Sequence, residues 1–271
     1  MTVAATVRRM ADPAAAEQPR LLVVVAHPDD ETFGLGSLIA GAADRGAEVV
    51  VCCATRGEAG ESEIELPPGQ TIGELREAEL REAGRILGVH RHVLLDYADS
   101  GMEGDAAPDS LAGAPLDDVV ATLRTVLADV RPTVLVTLDP VTSDGHRDHD
   151  RIGAATLAAA ADIPDLPAYV WTVPRPLIHR WFEELAAARP GSAYADEPPP
   201  DAGRPQEEIT TIVDGTPYLE LRERASAAHA SQKPPVSGMP REFELMFLGT
   251  DHLVRIQPPW TGGAVERMLP L

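Results

Sequence analysis

Leu21-Leu22-Val23-Val24-Val25 runs directly into Ala26-His27-Pro28-Asp29-Asp30-Glu31. Five large apolar residues in succession, three of them β-branched, read as a strand buried on both faces, as in the middle of a parallel sheet. An imidazole and three carboxylates then arrive within five residues at the strand's C-terminal end. Crowded carboxylates repel one another and lose hydration when buried. A divalent cation is the partner that removes that penalty and draws His and Asp to one point. The arrangement recurs: Val134-Leu135-Val136-Thr137-Leu138 is followed by Asp144-Gly145-His146-Arg147-Asp148-His149. Two His/Asp clusters, each just beyond a strand, point to a metal hydrolase.

The surrounding pattern says where the two clusters meet. Apolar runs predict strands at Leu21–Val25, Glu48–Ala54, Arg91–Leu95 and Thr133–Leu138, and three- and four-residue apolar spacing predicts helices at Gly36–Arg45, Ile72–Leu87 and Leu116–Val130. Gly88 closes the second helix as a C′ residue prefers. Strand–helix alternation implies an α/β fold with right-handed crossovers: a Rossmann-like, doubly wound, mostly parallel sheet. In the strand order 3-2-1-4-5, strands one and four are neighbours and ligands bind at their carboxyl ends. Both clusters sit there. Beyond Ala161 the pattern predicts a strand at Ala168–Val173, a helix at Pro176–Ala188, a strand at Ile209–Val213 and a helix at Thr216–Gln232. Arg189–Gln206 reads as an exposed loop or lid, and Lys233–Pro240 and Pro258–Leu271 as irregular. The expected organisation is a flexible tail over residues 1–19 and a single catalytic domain over 20–271. Its less regular C-terminal extension, from about residue 165, forms a cap, a substrate subdomain or a continuation of the sheet.

A formal charge of −20 and a sequence pI near 4.7 argue against nucleic acid or an anionic membrane surface as partner. Aromatic residues make up 4%, so the core must rest on Val, Leu, Ile and Ala. Cys52 and Cys53 are adjacent within an expected strand and point to opposite faces, which suits two core thiols in a reducing compartment. Residues 1–20 lack the apolar stretch of a secretory signal, and no segment is long enough to span a membrane. The expected location is the cytoplasm. A homo-oligomer is left open.

Ala26–Glu31 after the first strand, with His146-Arg147-Asp148-His149 after a later one, resembles the PIG-L/LmbE-like zinc N-deacetylases, a family that includes the N-acetylglucosaminyl-phosphatidylinositol de-N-acetylases and bacterial enzymes of mycothiol and bacillithiol metabolism. Further segments carry the likeness over most of the chain: Thr55-Arg56-Gly57-Glu58-Ala59-Gly60, Arg76-Glu77-Ala78-Glu79-Leu80 with Leu87-Gly88-Val89, Asp99-Ser100-Gly101-Met102 and Ala228-His229-Ala230-Ser231-Gln232. The last two are similar to the mycothiol-branch deacetylase.

The resemblance implies that His27, Asp30 and His149 hold Zn2+ and that Asp29 is the general base. Two imidazoles and one carboxylate leave positions open, as a catalytic site requires, although the same set suits Fe2+. His146 is the expected acid and oxyanion stabiliser, with Asp148 orienting it and raising its pKa. Arg76, Asp99 and Gln232 are implied substrate contacts. Arg76 also fits a plain i, i+3 pair with Glu79, and Asp99 a turn with Ser100 and Gly101. Two positions depart from the family pattern. Asp144 replaces a Tyr that helps to stabilise the oxyanion, and Arg147 replaces the Pro of H-P-D-H and places a cation at the rim. Glu31 reads as a helix-start or supporting carboxylate, His252 as structural, His229 as pocket-lining, and Trp171, Trp181 and Trp260 as core.

The implied activity is removal of the N-acetyl group from an N-acetylglucosamine-type conjugate, an amino-sugar small molecule. The alternatives are an amidase acting on a mycothiol-type cysteinyl amide and a deacetylase of a secondary-metabolite amino sugar. A non-catalytic sugar- or metal-binding protein fits less well because Asp29 and His146 are present. A dinucleotide-dependent oxidoreductase fits least, since His27-Pro28 occupies the turn where G-x-G-x-x-G would lie.

Overall fold

The computed structural model describes residues 18–141, 145–190 and 202–271. Most of the expected N-terminal tail, the Asp144 position and part of the expected 189–206 loop lie outside the described residues. In chain order the elements are β1 (Arg20–Val25), α1 (Asp30–Phe33), α2 (Gly36–Asp44), β2 (Glu48–Cys53), α3 (Ile72–Leu87), β3 (Arg91–Leu94), α4 (Leu116–Val130), β4 (Val134–Leu138), α5 (Arg147–Ala160), β5 (Ala168–Thr172), α6 (Arg175–Ala188), β6 (Thr211–Asp214), α7 (Leu219–Ala228), α8 (Arg241–Leu248) and β7 (Thr250–Gln257). The seven strands form one sheet in the order β3-β2-β1-β4-β5-β7-β6.

β1 to β5 run parallel. Leu21 pairs with Val49 on one side and Val134 on the other, which makes β1 the central strand and explains its uninterrupted apolar run. α4 packs on α5, α5 packs against β1, and α7 packs against α2 and α3. With alternate side chains pointing to opposite faces, the burial of every residue from Leu21 to Val25 shows that β1 is covered on both. Cys52 and Cys53 are free and buried in β2, as their alternating positions predict.

Local chemistry sets the helix ends. Thr71 and Glu74 form a capping box at the start of α3, and Gly88 at φ 85° terminates it in the left-handed region. The expectation that the helix after Thr216 extends to Gln232 is corrected. A short 3-10 turn at Thr216–Tyr218 leads into α7, which stops at Ala228. The chain leaves the helix there because His229 turns inward to Glu31, and Ser231 donates from its amide and hydroxyl to Glu79 at 2.8 and 2.6 Å.

The C-terminal region continues the same sheet. β7 inserts antiparallel between β5 and β6, and Leu185, Val236, Met239 and Phe243 form a small second core where α6, residues 236–239 and α8 meet. One further tie fastens this region to the first motif. The buried Arg222 guanidinium donates to Phe33 O, to Gly34 O at 3.0 Å, to Leu248 O at 2.9 Å and to Asp251 Oδ1 at 3.4 Å.

Candidate metal centre and active site

At the end of β1 the chain turns sharply. The amides of Ala26 and His27 both donate to Asp30 Oδ2, at 3.1 and 2.8 Å, so the Asp30 side chain closes its own loop. Asp29 sits at φ 128°, a backbone region that L-residues rarely occupy. Surrounding groups hold it there. Arg76 Nη2 donates to Asp29 Oδ2 at 3.1 Å and to Pro28 O at 2.9 Å, and its Nη1 donates to Gly57 O at 2.8 Å. A Cβ on Gly57 would lie 2.3 Å from that guanidinium, which accounts for the glycine. The Asp29 amide donates to Glu31 Oε2 at 2.9 Å. Glu31 is fully buried and lies 2.9 Å from His229 Nε2, also fully buried.

At the end of β4, α5 begins. His146 is its N-cap, and its Nδ1 accepts from the Asp148 amide at 3.2 Å, which leaves the proton of a neutral ring on Nε2. The three imidazoles then meet: ring centroids are 4.4 Å apart for His27 and His146, 5.3 Å for His27 and His149, and 4.8 Å for His146 and His149. Carboxylates surround them. Asp30 Oδ1 is 3.3 Å from His149 Nε2, and Asp30 Oδ2 is 3.7 Å from His27 Nδ1. On its other edge, His27 Nε2 faces Asp148 Oδ2 at 3.4 Å and Asp99 Oδ1 at 3.6 Å.

This donor set fits a divalent cation. Ring nitrogens of His27, His146 and His149 lie within 4.8 Å of one another, as do donor atoms of His27, Asp99 and Asp148. Asp148 Oδ1 is buried with no hydrogen-bond partner among the described residues. The surrounding carboxylates favour positive charge at this point, whether a proton or a cation carries it. Burial pulls the His27 imidazole down, but Asp148, Asp99 and Asp30 outweigh it and raise its pKa to about 9. Burial would also raise Asp30, yet His149 and His27 hold it below the usual carboxylate range. Asp29 goes the other way: burial pushes it up to about 7 against the pull of Arg76. Two adjacent carboxylates are thus driven apart in pKa, one suited to bind a cation and one to exchange a proton.

Each residue singled out from the sequence has a place. His27, Asp29, Asp30, Arg76, Asp99, His146, His149 and Gln232 all line one cavity of about 600 Å³ at the carboxyl ends of β1 and β4. Asp148 lies beneath it, and its position differs from expectation. Its carboxylate addresses His27 and accepts from the Ser100 amide at 2.9 Å, while its tie to His146 runs through the backbone. Arg76 makes no pair with Glu79, which is engaged by Ser231, and its guanidinium braces the Asp29 loop instead. Asp99 forms the expected turn, its Oδ1 accepting from the Gly101 amide at 2.9 Å, and it also faces His27 at 3.6 Å. Gln232 Nε2 donates to Glu61 O at 3.1 Å and to Ser231 O at 2.9 Å.

The reading of the tryptophans as core changes. Trp171 and Trp181 line the cavity, whereas Trp260 lies under the Arg255 guanidinium at 4.9 Å. His252 is half-buried on β7 away from this cavity, and burial pulls its pKa down to about 4. Among the ion pairs without a direct sequence signal, two bear on the site's surroundings. Glu31–His229 joins residues 198 apart, signalled only by the Ala228–Gln232 resemblance. Arg204–Asp139, with bonds of 2.7 and 2.9 Å, had no signal.

The model of the family described as PIG-L, GlcNAc-PI de-N-acetylase, matches residues 22–160. The chain is 36% identical over 254 residues to the 1D-myo-inositol 2-acetamido-2-deoxy-α-D-glucopyranoside deacetylase of Kineococcus radiotolerans, covering 80% of this chain and 70% of that one. Among solved structures it resembles N,N′-diacetylchitobiose deacetylase from Pyrococcus horikoshii, with TM-score 0.57, 20% identity, and 89% and 88% of the two chains covered. It also resembles the 4-carboxy-2-hydroxymuconate hydratase GalB of Pseudomonas putida KT2440, with TM-score 0.63, 19% identity, and 91% and 100% covered. A hydratase on the same fold means that the architecture does not define the reaction. The family match and the deacetylase relatives do: the chain belongs to the PIG-L family of GlcNAc-PI de-N-acetylases and is a deacetylase of the hydrolase class.

Proposed function

We propose that this protein hydrolyses the acetamide of an N-acetylglucosamine-type conjugate, releasing acetate and a free amine. The observation that carries the reading is Asp29, held in a strained conformation beside the His27, Asp30 and His149 donors in a cavity of sugar-conjugate size. Identity to a deacetylase of an acetamido-glucopyranoside supports the same substrate class. His27, Asp30 and His149 are the ligands in this reading, and Zn2+ is the metal. A bound divalent ion supplies Lewis acidity toward the amide carbonyl and acidifies water.

The chain's own groups do the rest. Arg76 fixes one oxygen of the Asp29 carboxylate, so the base keeps one orientation as it takes a proton from water. His146 stabilises the developing oxyanion from its Nε2–H and, once it carries a second proton as imidazolium, gives one to the departing amine and returns to the neutral ring. Asp148 faces His27 and anchors the start of α5, and so acts on the acid by position. Asp99, Arg76 and Gln232 border the space a sugar would fill. Residues 20–271 act as one catalytic unit. Among the described residues no helix is long and apolar enough to cross a membrane, and the free Cys52 and Cys53 suit a reducing cytoplasm.

The test is amine release from metal-reconstituted protein, wild type beside Asp29→Asn, on acetamido-glucosides and on a cysteinyl amide. The expected result is turnover of the acetamides, reduced about 10²–10⁴-fold in the variant with metal content unchanged. Undiminished turnover in Asp29→Asn would remove Asp29 from its role, and cleavage of the cysteinyl amide alone would replace the deacetylase reading with the amidase one.

A further inference from the structure

One side of the cavity is unlike the other. Around the imidazoles it is densely polar. Another part of the wall is built by α6, where Ile178, Trp181, Phe182 and Leu185 recur at three- and four-residue spacing, with Trp171 from β5 and Phe33 at the end of α1 adding to the apolar lining. Among the described residues, several polar groups on this side are already engaged within the protein. The Trp181 indole N–H donates to Pro235 O at 3.1 Å. Arg189 donates to Pro234 O at 2.9 Å and to Ser237 O at 2.8 Å. Arg204 occupies the Asp139 carboxylate, and Lys233 lies 3.6 Å from Glu63. A hydroxyl-rich group placed against this wall would lose water and find few partners, a cost that strongly disfavours it. A hydrocarbon or aromatic group would gain what the polyol loses.

We infer that the substrate of this deacetylase carries an apolar aglycone, alkyl or aryl, seated against Ile178, Trp181 and Phe182, with the acetamido sugar at the imidazole end. This rests on the deacetylase reading above and departs from the myo-inositol aglycone named for the Kineococcus relative. The two ends of the cavity divide the labour: one holds the reacting amide, and the other selects what is attached to the sugar.

The experiment is a series of alkyl 2-acetamido-2-deoxy-glucosides, from methyl to octyl, measured beside the myo-inositol conjugate with metal-loaded enzyme. kcat/KM is expected to rise about threefold to fourfold per buried methylene over the first several carbons, with the octyl glycoside above the inositol conjugate. In Ile178→Ser and Trp181→Ala the slope should flatten while the methyl glycoside is still turned over, and that turnover reports an intact fold and active site. A flat series in the wild type, or a preference for the inositol conjugate, overturns the inference and leaves deacetylation standing. Absence of amine release from every glycoside would instead overturn the deacetylase reading, so the two failures are distinguishable. An undiminished slope in both variants would also overturn the placement against α6.

Discussion

The two strand-end motifs meet at one site but are supported in opposite ways. The motif after β1 is held by the rest of the molecule: Arg76 from α3 grips the Asp29 carboxylate, Glu31 holds the Asp29 amide, His229 holds Glu31, and Arg222 holds the carbonyls of Phe33 and Gly34. The motif after β4 is held locally and supports its surroundings. His146 caps its own helix, Asp148 receives the Ser100 amide, and Arg147 reaches out to the neighbouring loop. The difference follows from backbone geometry. A helix start is self-consistent and needs little outside help, whereas an aspartate at φ 128° persists only if its surroundings over-determine it. Substitutions at a distance should therefore damage the base on the β1 side and leave it alone on the β4 side.

Arg76 offers the largest test of that contrast. In Arg76→Met, the Asp29 carboxylate and the carbonyls of Pro28 and Gly57 lose a buried donor together. Stability should fall by about 5 kcal/mol, the upper end for removing one partner of a buried pair, and kcat by about 100-fold as the base loses its aim. Urea melts and single-substrate kinetics check both. Arg76→Lys should recover little, because one ammonium cannot reproduce a fork reaching three acceptors. A fully active Arg76→Lys enzyme would mean that charge alone, not the three-way grip, sets Asp29.

The Glu31–His229 pair comes next. His229→Leu leaves Glu31 buried without its cation and should cost about 3 kcal/mol, with kcat lowered about tenfold as the Asp29 amide loosens. Glu31→Gln combined with His229→Leu should be less destabilised than His229→Leu alone, since no uncompensated charge remains. The pair also carries a pH signature. Burial pulls His229 down, but Glu31 more than offsets it. With its folded pKa raised above the ordinary 6.5, His229 contributes stability below that value and loses it as pH rises through the raised one. Burial pushes Glu31 up, but His229 outweighs it. With its folded pKa below the ordinary 4.5, Glu31 contributes above 4.5 and loses stability as pH falls through the depressed value. The stability gap between wild type and the double variant should thus be widest between pH 4.5 and 6.5 and narrow on either side. A gap independent of pH would mean that the contact contributes packing rather than charge.

These partners mark the limit of what the amino-acid order discloses. Period and composition suffice for β1, for α3 with its Thr71 and Gly88 ends, for the parallel order that makes β1 and β4 neighbours, and so for the meeting of His27 with His146 and His149. Each of those features is written in local pattern or in a topological rule. β7 is not: its burial alternates only in part, and nothing local tells Thr250–Gln257 to insert antiparallel between β5 and β6. Nor does local pattern tell His229 that its partner lies 198 residues earlier, or Trp181 that its helix faces a cavity. Asp148 shows a subtler limit. Its place beside His146 in the chain suggests a contact between the side chains, but on the first turn of a helix the carboxylate swings toward His27 and only the amide reaches His146.

Arg147 gives the smallest effect and the sharpest test of the β4 side. At the position of the family's proline it is half-buried rather than a free cation at the rim. Its Nε donates to Gly101 O at 2.7 Å, its Nη1 to Gly104 O at 2.8 Å, and its Nη2 to Ser100 O and to Glu103 O at 3.1 Å. One guanidinium thus gathers the loop that begins at Asp99 and places Met102 at the cavity wall. Those carbonyls lie near solvent and can take water in its absence, so Arg147→Ala should cost only about 1 kcal/mol of stability. The loop, freed from its brace, should bind substrate less well: KM rises about tenfold as interactions shared by ground and transition states weaken, while kcat and metal content hold. Limited proteolysis within residues 100–104 should accelerate in step. A fall in kcat with KM unchanged would place Arg147 among the groups that aim the acid, and the division between a supported motif and a supporting one would no longer hold.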